Sequence, residues 1–186
     1  MKTYILPSLK LTGILILICS VMYPLLIAGI SMFAPGNGEG KKITAHNNVV
    51  GYENIGQQFT DDSYFQGRPS AVDYNAAGSA GSNKGGANPD YLATVQARID
   101  TFLVHNPEID KAAIPCDLVT ASGSGLDPNI SVKAAKIQVA RIAKIRNKSA
   151  KEINDLIDKL IEKPLLGLFG PEKINVLKLN IALNEL

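Results

Sequence analysis

The residues best suited to chemistry lie in the loop Ser122-Gly123-Ser124-Gly125, where two hydroxyl side chains alternate with two glycines. Backbone N–H groups and hydroxyls in such a loop can bind an anion, and a helix expected to start near Ser131 would follow it. A tight loop without a ligand explains the same composition, and it is the simpler interpretation of these residues.

A serine hydrolase is the main catalytic alternative, and the sequence gives it little support. The G-x-S-x-G motif is not met around Ser122 or Ser124. A Ser/His/Asp set that uses His46 or His105 with Asp117 is not excluded by spacing. Two histidines cannot supply a three-histidine metal site, and two cysteines cannot make a four-cysteine zinc site or a disulfide framework. We therefore expect neither catalytic residues nor metal ligands.

The composition describes a folded protein with one strongly apolar segment. Of the 186 residues, 46% are hydrophobic and 19% are charged, so general disorder is excluded and one domain is the expected size. Lys2 and Lys10 are the only charged residues before Glu39, and the other 17 of the 19 basic residues balance 17 acidic ones. A net charge of +2 is too small for a protein that binds nucleic acid through bulk charge.

Residues 11–33 form the apolar segment, LTGILILICSVMYPLLIAGISMF, which contains no charged residue. As a helix it would measure about 35 Å, enough to cross a hydrocarbon core of about 30 Å. A cleaved signal sequence is the alternative, but its apolar part is usually shorter, and residues 30–33 (ISMF) make a poor cleavage site. The sequence therefore predicts a retained transmembrane helix, which Pro24 should kink or open by one turn.

The basic residues beside this span set the expected orientation. Lys2, Lys10 and the α-amino group precede the span, whereas Lys41 and Lys42 follow it at a distance of several residues. Basic residues are retained on the cytoplasmic side of a membrane, and a short tail responds to its charges more than a translocated domain does. We expect a single-pass protein of the bacterial cell membrane, with residues 1–10 as a cytoplasmic tail and the bulk of the chain outside.

Beyond the span, the sequence predicts an extracytoplasmic α+β domain over residues 43–186, joined by a linker at residues 34–42. Short strands are expected within residues 43–68, and residues 114–119 should be extended. Three helices are expected, starting at caps on Asn88, Ser131 and Ser149 and ending before Pro107, near Arg146 and at Pro164. Residues 174–183 fit either a buried strand or a short helix.

Seven basic residues fall between positions 133 and 151 with no acidic residue among them. Such a surface could bind lipid headgroups or an acidic partner. The acidic residues of the following helix could instead pair with the basic ones, which would leave two solvated helices facing each other. That pairing is the simpler interpretation.

Four groups of residues, taken together, resemble one protein family. They are residues 23–26 (YPLL) in the span; residues 56–59 (GQQF), 64–70 (YFQGRPS), 74–77 (YNAA) and 81–83 (GSN); residues 117–128 (DLVTASGSGLDP), 130–131 (IS), 134–135 (AA) and 138–139 (QV); and residues 166–170 (LGLFG), 175–177 (NVL) and 179–180 (LN). In this order, and over nearly the whole chain, they resemble the C subunit of the Kdp potassium-transporting ATPase.

The resemblance implies a bacterial membrane complex that uses ATP to import potassium. A channel-like A subunit carries the potassium pathway, a P-type ATPase B subunit hydrolyses ATP through an aspartyl phosphate, and a very small F subunit is also present. The C subunit is implied to be non-catalytic, to support assembly, and to act as a catalytic chaperone that raises the ATP affinity of the B subunit. The resemblance also implies a nucleotide contact at Ser122, Gly123, Ser124, Gly125 and Gln138.

The expected orientation conflicts with that nucleotide contact, because residues 34–186 would lie outside the cell, where ATP is scarce. ATP is therefore expected to be bound by the complex rather than by this chain directly. An alternative role is a domain that caps the potassium entrance, with the span packed on the A subunit. A membrane-anchored periplasmic hydrolase with no transport role is the remaining alternative.

Overall fold

The computed structural model describes residues 2–186, which divide into two units, one ending at Lys41 and the other running from Lys42 to Leu186. The first unit contains helix α1 (Lys2–Leu17), a π-helical turn (Ile18–Met22) and helix α2 (Tyr23–Ser31). The helical residues Tyr4–Ser31 are long and apolar enough to cross a membrane, and none of them is buried. The helix starts well before Leu11, because the residues on both sides of Lys10 are apolar and compatible with a helix.

Pro24 disturbs this helix as the sequence predicts. Proline has no N–H group, so it cannot make the hydrogen bond that an α-helix would require to the carbonyl of Ser20. The change in the backbone lies just upstream, where the N–H of Tyr23 donates to the carbonyl of Ile18, five residues earlier. The helix therefore continues to Ser31 with one widened turn in its middle.

The second unit is a mixed α and β domain. Its elements are β1 (Lys42–Ala45), β2 (Asn48–Tyr52), α3 (Pro89–His105), β3 (Asn129–Ile130), α4 (Val132–Lys136), α5 (Val139–Arg146), α6 (Ala150–Lys159), β4 (Ile174–Asn175) and α7 (Val176–Asn184). Strand β1 pairs with β2, and β3 pairs with β4, both in antiparallel two-stranded sheets. The α+β fold class predicted from the sequence is therefore confirmed.

Side-chain caps fix where the helices of this domain begin. Asn88, Ser131, Ser149 and Asn175 each accept a hydrogen bond from the backbone N–H three residues later, at 3.1 Å. Glu152 completes the predicted capping box, because its carboxylate accepts the N–H of Ser149 at 3.0 Å. The three caps that the sequence predicted are confirmed, and Asn175 is a fourth.

Glu152 gives a pH-dependent test of its capping box. Hydrogen bonds from the backbone N–H and the hydroxyl of Ser149 lower the pKa of Glu152 below its ordinary value of 4.5. Because the folded-state pKa is depressed, the stabilisation is present above the unfolded pKa and is lost as the pH falls through the folded pKa. In an NMR titration, Ser149→Ala should raise the pKa of Glu152 towards its ordinary value. Asn88→Ala, which removes the cap of another helix, should leave the pKa of Glu152 unchanged. An equal pKa of Glu152 in the two variants would refute this assignment.

Three predictions about backbone conformation in this domain are wrong. The helix that begins after Ser149 ends at Lys159 rather than at Pro164. Within residues 114–119, Ile114 and Pro115 are extended, but a 3-10 turn follows at Cys116–Leu118. This turn lets the Asp117 carboxylate accept the N–H of Ser131 at 2.7 Å. The helix expected from Ser131 to Arg146 breaks between α4 and α5.

The break arises at Gln138, whose side-chain Nε2 donates to the carbonyl of Ala134 at 3.0 Å, while its backbone N–H donates to Ala135 at 3.1 Å. The side chain thus takes the carbonyl that the α-helix would use.

The C-terminal residues combine both conformations that the sequence left open, because β4 is followed directly by α7. From Lys42 to Leu186, a range that the structure describes in full, there are consequently five α-helices rather than three. The core is formed mainly by side chains of α4 to α7 and of strands β3 and β4, together with Phe65, Phe102 and Leu118. Its fully buried members include Ile142, Ile153, Ile157, Ile174 and Leu179.

The run of basic residues lies mainly on α4 to α6 and is partly neutralised there. Lys136 pairs with Asp158 at 2.9 Å, and Lys151 pairs with Asp155 at 2.6 Å. These pairs match the simpler interpretation of the sequence, in which the acidic residues of the next helix face the run. Arg141 is different, because its side chain is only 4% exposed.

Candidate functional site

A long stretch without helix or strand, residues 53–88, separates β2 from α3. Its first part contains the motif at residues 64–70, and Phe65 anchors this motif with a fully buried ring. Backbone N–H and C=O groups that leave water must find hydrogen-bond partners, and this stretch has no neighbouring strand to provide them. Side chains from distant helices provide them instead.

Asn180 and Gln138 bind the backbone of two adjacent residues in the same manner. Asn180 donates to the carbonyl of Phe65 and accepts its N–H, both at 2.9 Å. Gln138 donates to the carbonyl of Gln66 at 3.2 Å and accepts its N–H at 2.8 Å. Both carboxamides are buried, so each replaces one step of a β-ladder inside the protein.

Arg141 joins this arrangement to the rest of the core. Its guanidinium donates to the carbonyl of Asp62, to the carbonyl of Tyr64 at 3.1 Å, to Oδ1 of Asn106 at 3.1 Å and to Oε1 of Gln138 at 2.8 Å. Burial lowers the pKa of Arg141, and the carboxylate of Asp62 acts in the opposite direction. We call Gln138, Arg141 and Asn180, with the residues 62–66 that they hold, the polar clamp.

Arg146 supports the polar clamp from its outer side. Its Nε donates to the carbonyl of Ser63 at 2.7 Å, and its Nη1 donates to the carbonyl of Leu183 at 3.3 Å. The guanidinium also lies 4.7 Å from the centre of the Tyr64 ring, a distance typical of a cation–π contact. Two arginines of α5 are therefore used to fix the shape of the irregular segment.

A cleft of about 580 Å³ lies between the irregular segment and α3. Arg68 lies at its edge: one nitrogen, Nη1, pairs with Asp127 at 3.1 Å, while Nε is buried without a hydrogen-bond partner among the described residues. Tyr74 donates its hydroxyl to the carbonyl of Arg68, and burial raises the pKa of this tyrosine. The walls also include Gln66, Ser70, Arg98, Thr101 and His105.

Ser70 connects this motif to the glycine-rich loop predicted to contact nucleotide. Its hydroxyl donates to the carbonyl of Gly125 at 2.7 Å and accepts the N–H groups of Val72 and Tyr74. Gly125 has a φ of +66°, and a β-carbon there would lie 2.7 Å from the carbonyl oxygen of Ala80. The contact therefore requires glycine at position 125.

The structure separates the five residues that the resemblance assigned to nucleotide. Ser122, Gly123 and Ser124 line an open cavity of about 540 Å³, which Arg68 also lines. Gln138 does not line this cavity: it is fully buried in the polar clamp, and both its amide oxygen and its amide nitrogen are hydrogen-bonded within the protein.

The residues of the possible hydrolase set are also apart. His105 lies 2.8 Å from a carboxylate oxygen of Asp62, whereas Asp117 accepts hydrogen bonds from the N–H and the hydroxyl of Ser131. His46 lies in the turn between β1 and β2 with a φ of +48°. None of these three side chains is brought together with another of the set.

Sequence reasoning missed the structural role of Arg141 and Asn180. A signal was available for both, because each is a polar residue within an otherwise apolar helical pattern, and a polar residue at a core position needs a buried partner. The identity of that partner was not readable, since Phe65 and Asn180 are 115 residues apart.

Comparison with known proteins agrees with the sequence resemblance. The family described as KdpC, the c chain of a K⁺-transporting ATPase, matches residues 5–185. The potassium-transporting ATPase KdpC subunit of Flavobacterium psychrophilum is 56% identical over 178 residues, which cover 96% of each chain. That of Bacteroides fragilis is 50% identical over 189 residues, covering 100% of this chain and 98% of the relative. This chain therefore belongs to the KdpC family, and it is a membrane-anchored subunit of a potassium-transporting ATPase complex.

Proposed function

We propose that the chain is the non-catalytic accessory subunit of this complex, that it supports assembly, and that it raises the ATP affinity of the P-type ATPase subunit. Its partners are a channel-like A subunit, the ATPase B subunit and a small F subunit. The observation that carries the proposal is the family match, which extends over residues 5–185 and includes both the span and the domain.

The polar clamp supports a role in binding rather than in catalysis. Gln138, Arg141 and Asn180 use their side chains to hold the backbone of residues 62–66. The segment that they shape leads directly into the cleft beside α3. A rigid surface of this kind suits recognition of another subunit, because a preorganised surface loses little conformational entropy on binding.

We place the N-terminus in the cytoplasm and the domain outside, with the span packed against the A subunit and the domain at the potassium entrance. In this arrangement the chain changes ATP affinity through contacts with other subunits, and the nucleotide itself is bound by the B subunit. Protease added outside sealed spheroplasts should cleave the domain. Cleavage of the domain only after the membrane is opened would show the opposite orientation.

The function is tested by purifying the complex in mild detergent with and without this chain. A tag on the chain should recover a P-type ATPase and a channel-like subunit, and removal of the chain should weaken ATP binding to the ATPase subunit. Recovery of the chain alone, with transport intact in its absence, would contradict the proposal.

A direct nucleotide site at residues 122–125 is the alternative, and Gly123→Ala separates it from the proposal. No atom outside residues 122–124 lies within 4 Å of the position of a β-carbon at Gly123, so the variant should fold while its methyl group obstructs close approach to this loop. Gly78→Ala is a matched control with the same open surroundings. We expect both variants to support the same ATP affinity; a loss with Gly123→Ala alone would establish the direct site.

A further inference from the structure

The connection between α6 and β4 presents a compact group of apolar side chains to solvent. We call residues 165–169 (LLGLF) the apolar tip. The exposed fractions of Leu165, Leu166, Leu168 and Phe169 are 70%, 80%, 81% and 64%. The tip contains no polar side chain, and large apolar side chains gathered in this way are characteristic of a surface that contacts lipid or protein.

Four of the five backbone N–H groups of the apolar tip donate to nearby carbonyls. Leu165 and Phe169 face each other as an isolated antiparallel bridge, with the N–H of Leu165 donating to Phe169 at 3.1 Å. The N–H groups of Gly167, Leu168 and Phe169 donate to carbonyls of Pro164 or Leu165 at 2.9 to 3.1 Å. Backbone that enters hydrocarbon must satisfy its hydrogen bonds internally, so the pairing of these N–H groups lowers the cost of entering the membrane surface.

The charges beside the tip show no preference of sign. Lys163 and Glu172 are exposed on the two sides, and Lys173 pairs with Glu162 at 3.6 Å. An excess of basic residues beside the tip would indicate attraction to acidic headgroups. Because the charges beside the tip are balanced, burial of apolar side chains is what favours its contact with another surface.

The membrane span keeps the domain within reach of a bilayer. The span ends at Ser31 and the domain begins at Lys42, so the connection can extend over at most about 36 Å. A domain of about 145 residues has a radius of gyration of about 15 Å. The connection is thus long enough for the domain to turn the apolar tip towards the membrane that holds the span.

We propose that the apolar tip inserts into the membrane surface, with the side chains of Leu165, Leu166, Leu168 and Phe169 among the lipid acyl chains. Lipid is favoured over a protein groove because the tip offers no polar side chain with which to select a partner, and because most of its N–H groups are already paired. The domain then has two attachments to the bilayer: the span and the tip.

Tryptophan fluorescence tests this insertion directly, because the chain contains no tryptophan. Phe169→Trp places a single reporter in the tip, and Val104→Trp places one at a position of α3 that is 77% exposed. Each full-length variant is reconstituted at high lipid excess into phosphatidylcholine vesicles whose acyl chains carry bromine. Circular dichroism spectra that match the parent chain show that the variants are folded.

The Phe169→Trp chain should show blue-shifted emission and should lose about half or more of its intensity in brominated vesicles relative to unbrominated ones, since an inserted ring lies about 5–10 Å below the surface. The Val104→Trp chain should be quenched mainly by iodide in the water. Adding Leu166→Ser and Leu168→Ser to the Phe169→Trp chain should restore much of its emission in brominated lipid.

Equal quenching of the two reporters by iodide, with no effect of bromine, would overturn the insertion. So would protection of the Phe169→Trp reporter that appears only when the other subunits are present, because the tip would then bind protein. The quenching by bromine is measured in vesicles that contain no other subunit, so it does not depend on the proposed role in potassium uptake.

Discussion

A chain with Arg141→Met should have a free energy of unfolding about 3–5 kcal/mol lower than the parent chain. The guanidinium is almost completely buried and donates to Asn106, to Gln138 and to the backbone carbonyls of residues 62 and 64. Methionine fills much of the same space but donates no hydrogen bond, so the buried Oδ1 of Asn106 and the part-buried carbonyls of residues 62 and 64 lose this donor. Urea unfolding of the full chain in mild detergent, followed by the near-ultraviolet circular dichroism of its tyrosines, measures the loss.

Lys144→Met is the matched control, because it removes a positive charge from an exposed position of the same helix. Its expected effect is within about 0.5 kcal/mol. Arg141→Lys keeps the charge but has a single ammonium group, which cannot reach four acceptors, so it should recover only part of the loss. Equal stability of Arg141→Met and Lys144→Met would show that the polar clamp does not stabilise the domain.

A chain with Gln138→Met should have a free energy of unfolding about 2–4 kcal/mol lower, because the part-buried N–H and carbonyl of Gln66 both lose their partner. Gln58→Met is the control, since it makes the same chemical change at an exposed position. Combining Gln138→Met with Arg141→Met should cost less than the sum of the two single losses, because Gln138 accepts a hydrogen bond from Arg141 at 2.8 Å. Strict additivity of the two losses would contradict the coupling. A similar loss with Gln58→Met would show that the hydrogen bonds of Gln138 do not stabilise the domain.

The parts of the fold that the sequence predicts are those set by neighbours along the chain. The caps at Asn88, Ser131 and Ser149 depend on residues three positions away, and all three form. The effect of Pro24 depends on the missing N–H of that residue alone, and the π-helical turn lies directly before it. Local chemistry of this kind is readable without knowledge of the tertiary structure.

The parts that the sequence does not predict depend on distant partners. The helix break at Gln138 follows from the use of its side chain, which binds Gln66, 72 residues earlier. For the same reason, Gln138 could be associated with the glycine-rich loop by resemblance, while its surroundings in the core remained unknown. The cleft lined by Arg68 is equally invisible in the sequence, because an irregular segment and α3 form its walls.

The hydrogen bonds between Phe65 and Asn180 have a consequence for how the chain matures. During translation, Phe65 is synthesised long before Asn180, because the two residues are 115 positions apart in the sequence. Contacts of such high sequence separation close late, since loop closure must be completed before they form. We therefore expect residues 62–66 to gain their full set of hydrogen bonds only when the last helix has been synthesised, and nascent chains stopped before α7 should be more open to proteases than the full-length chain.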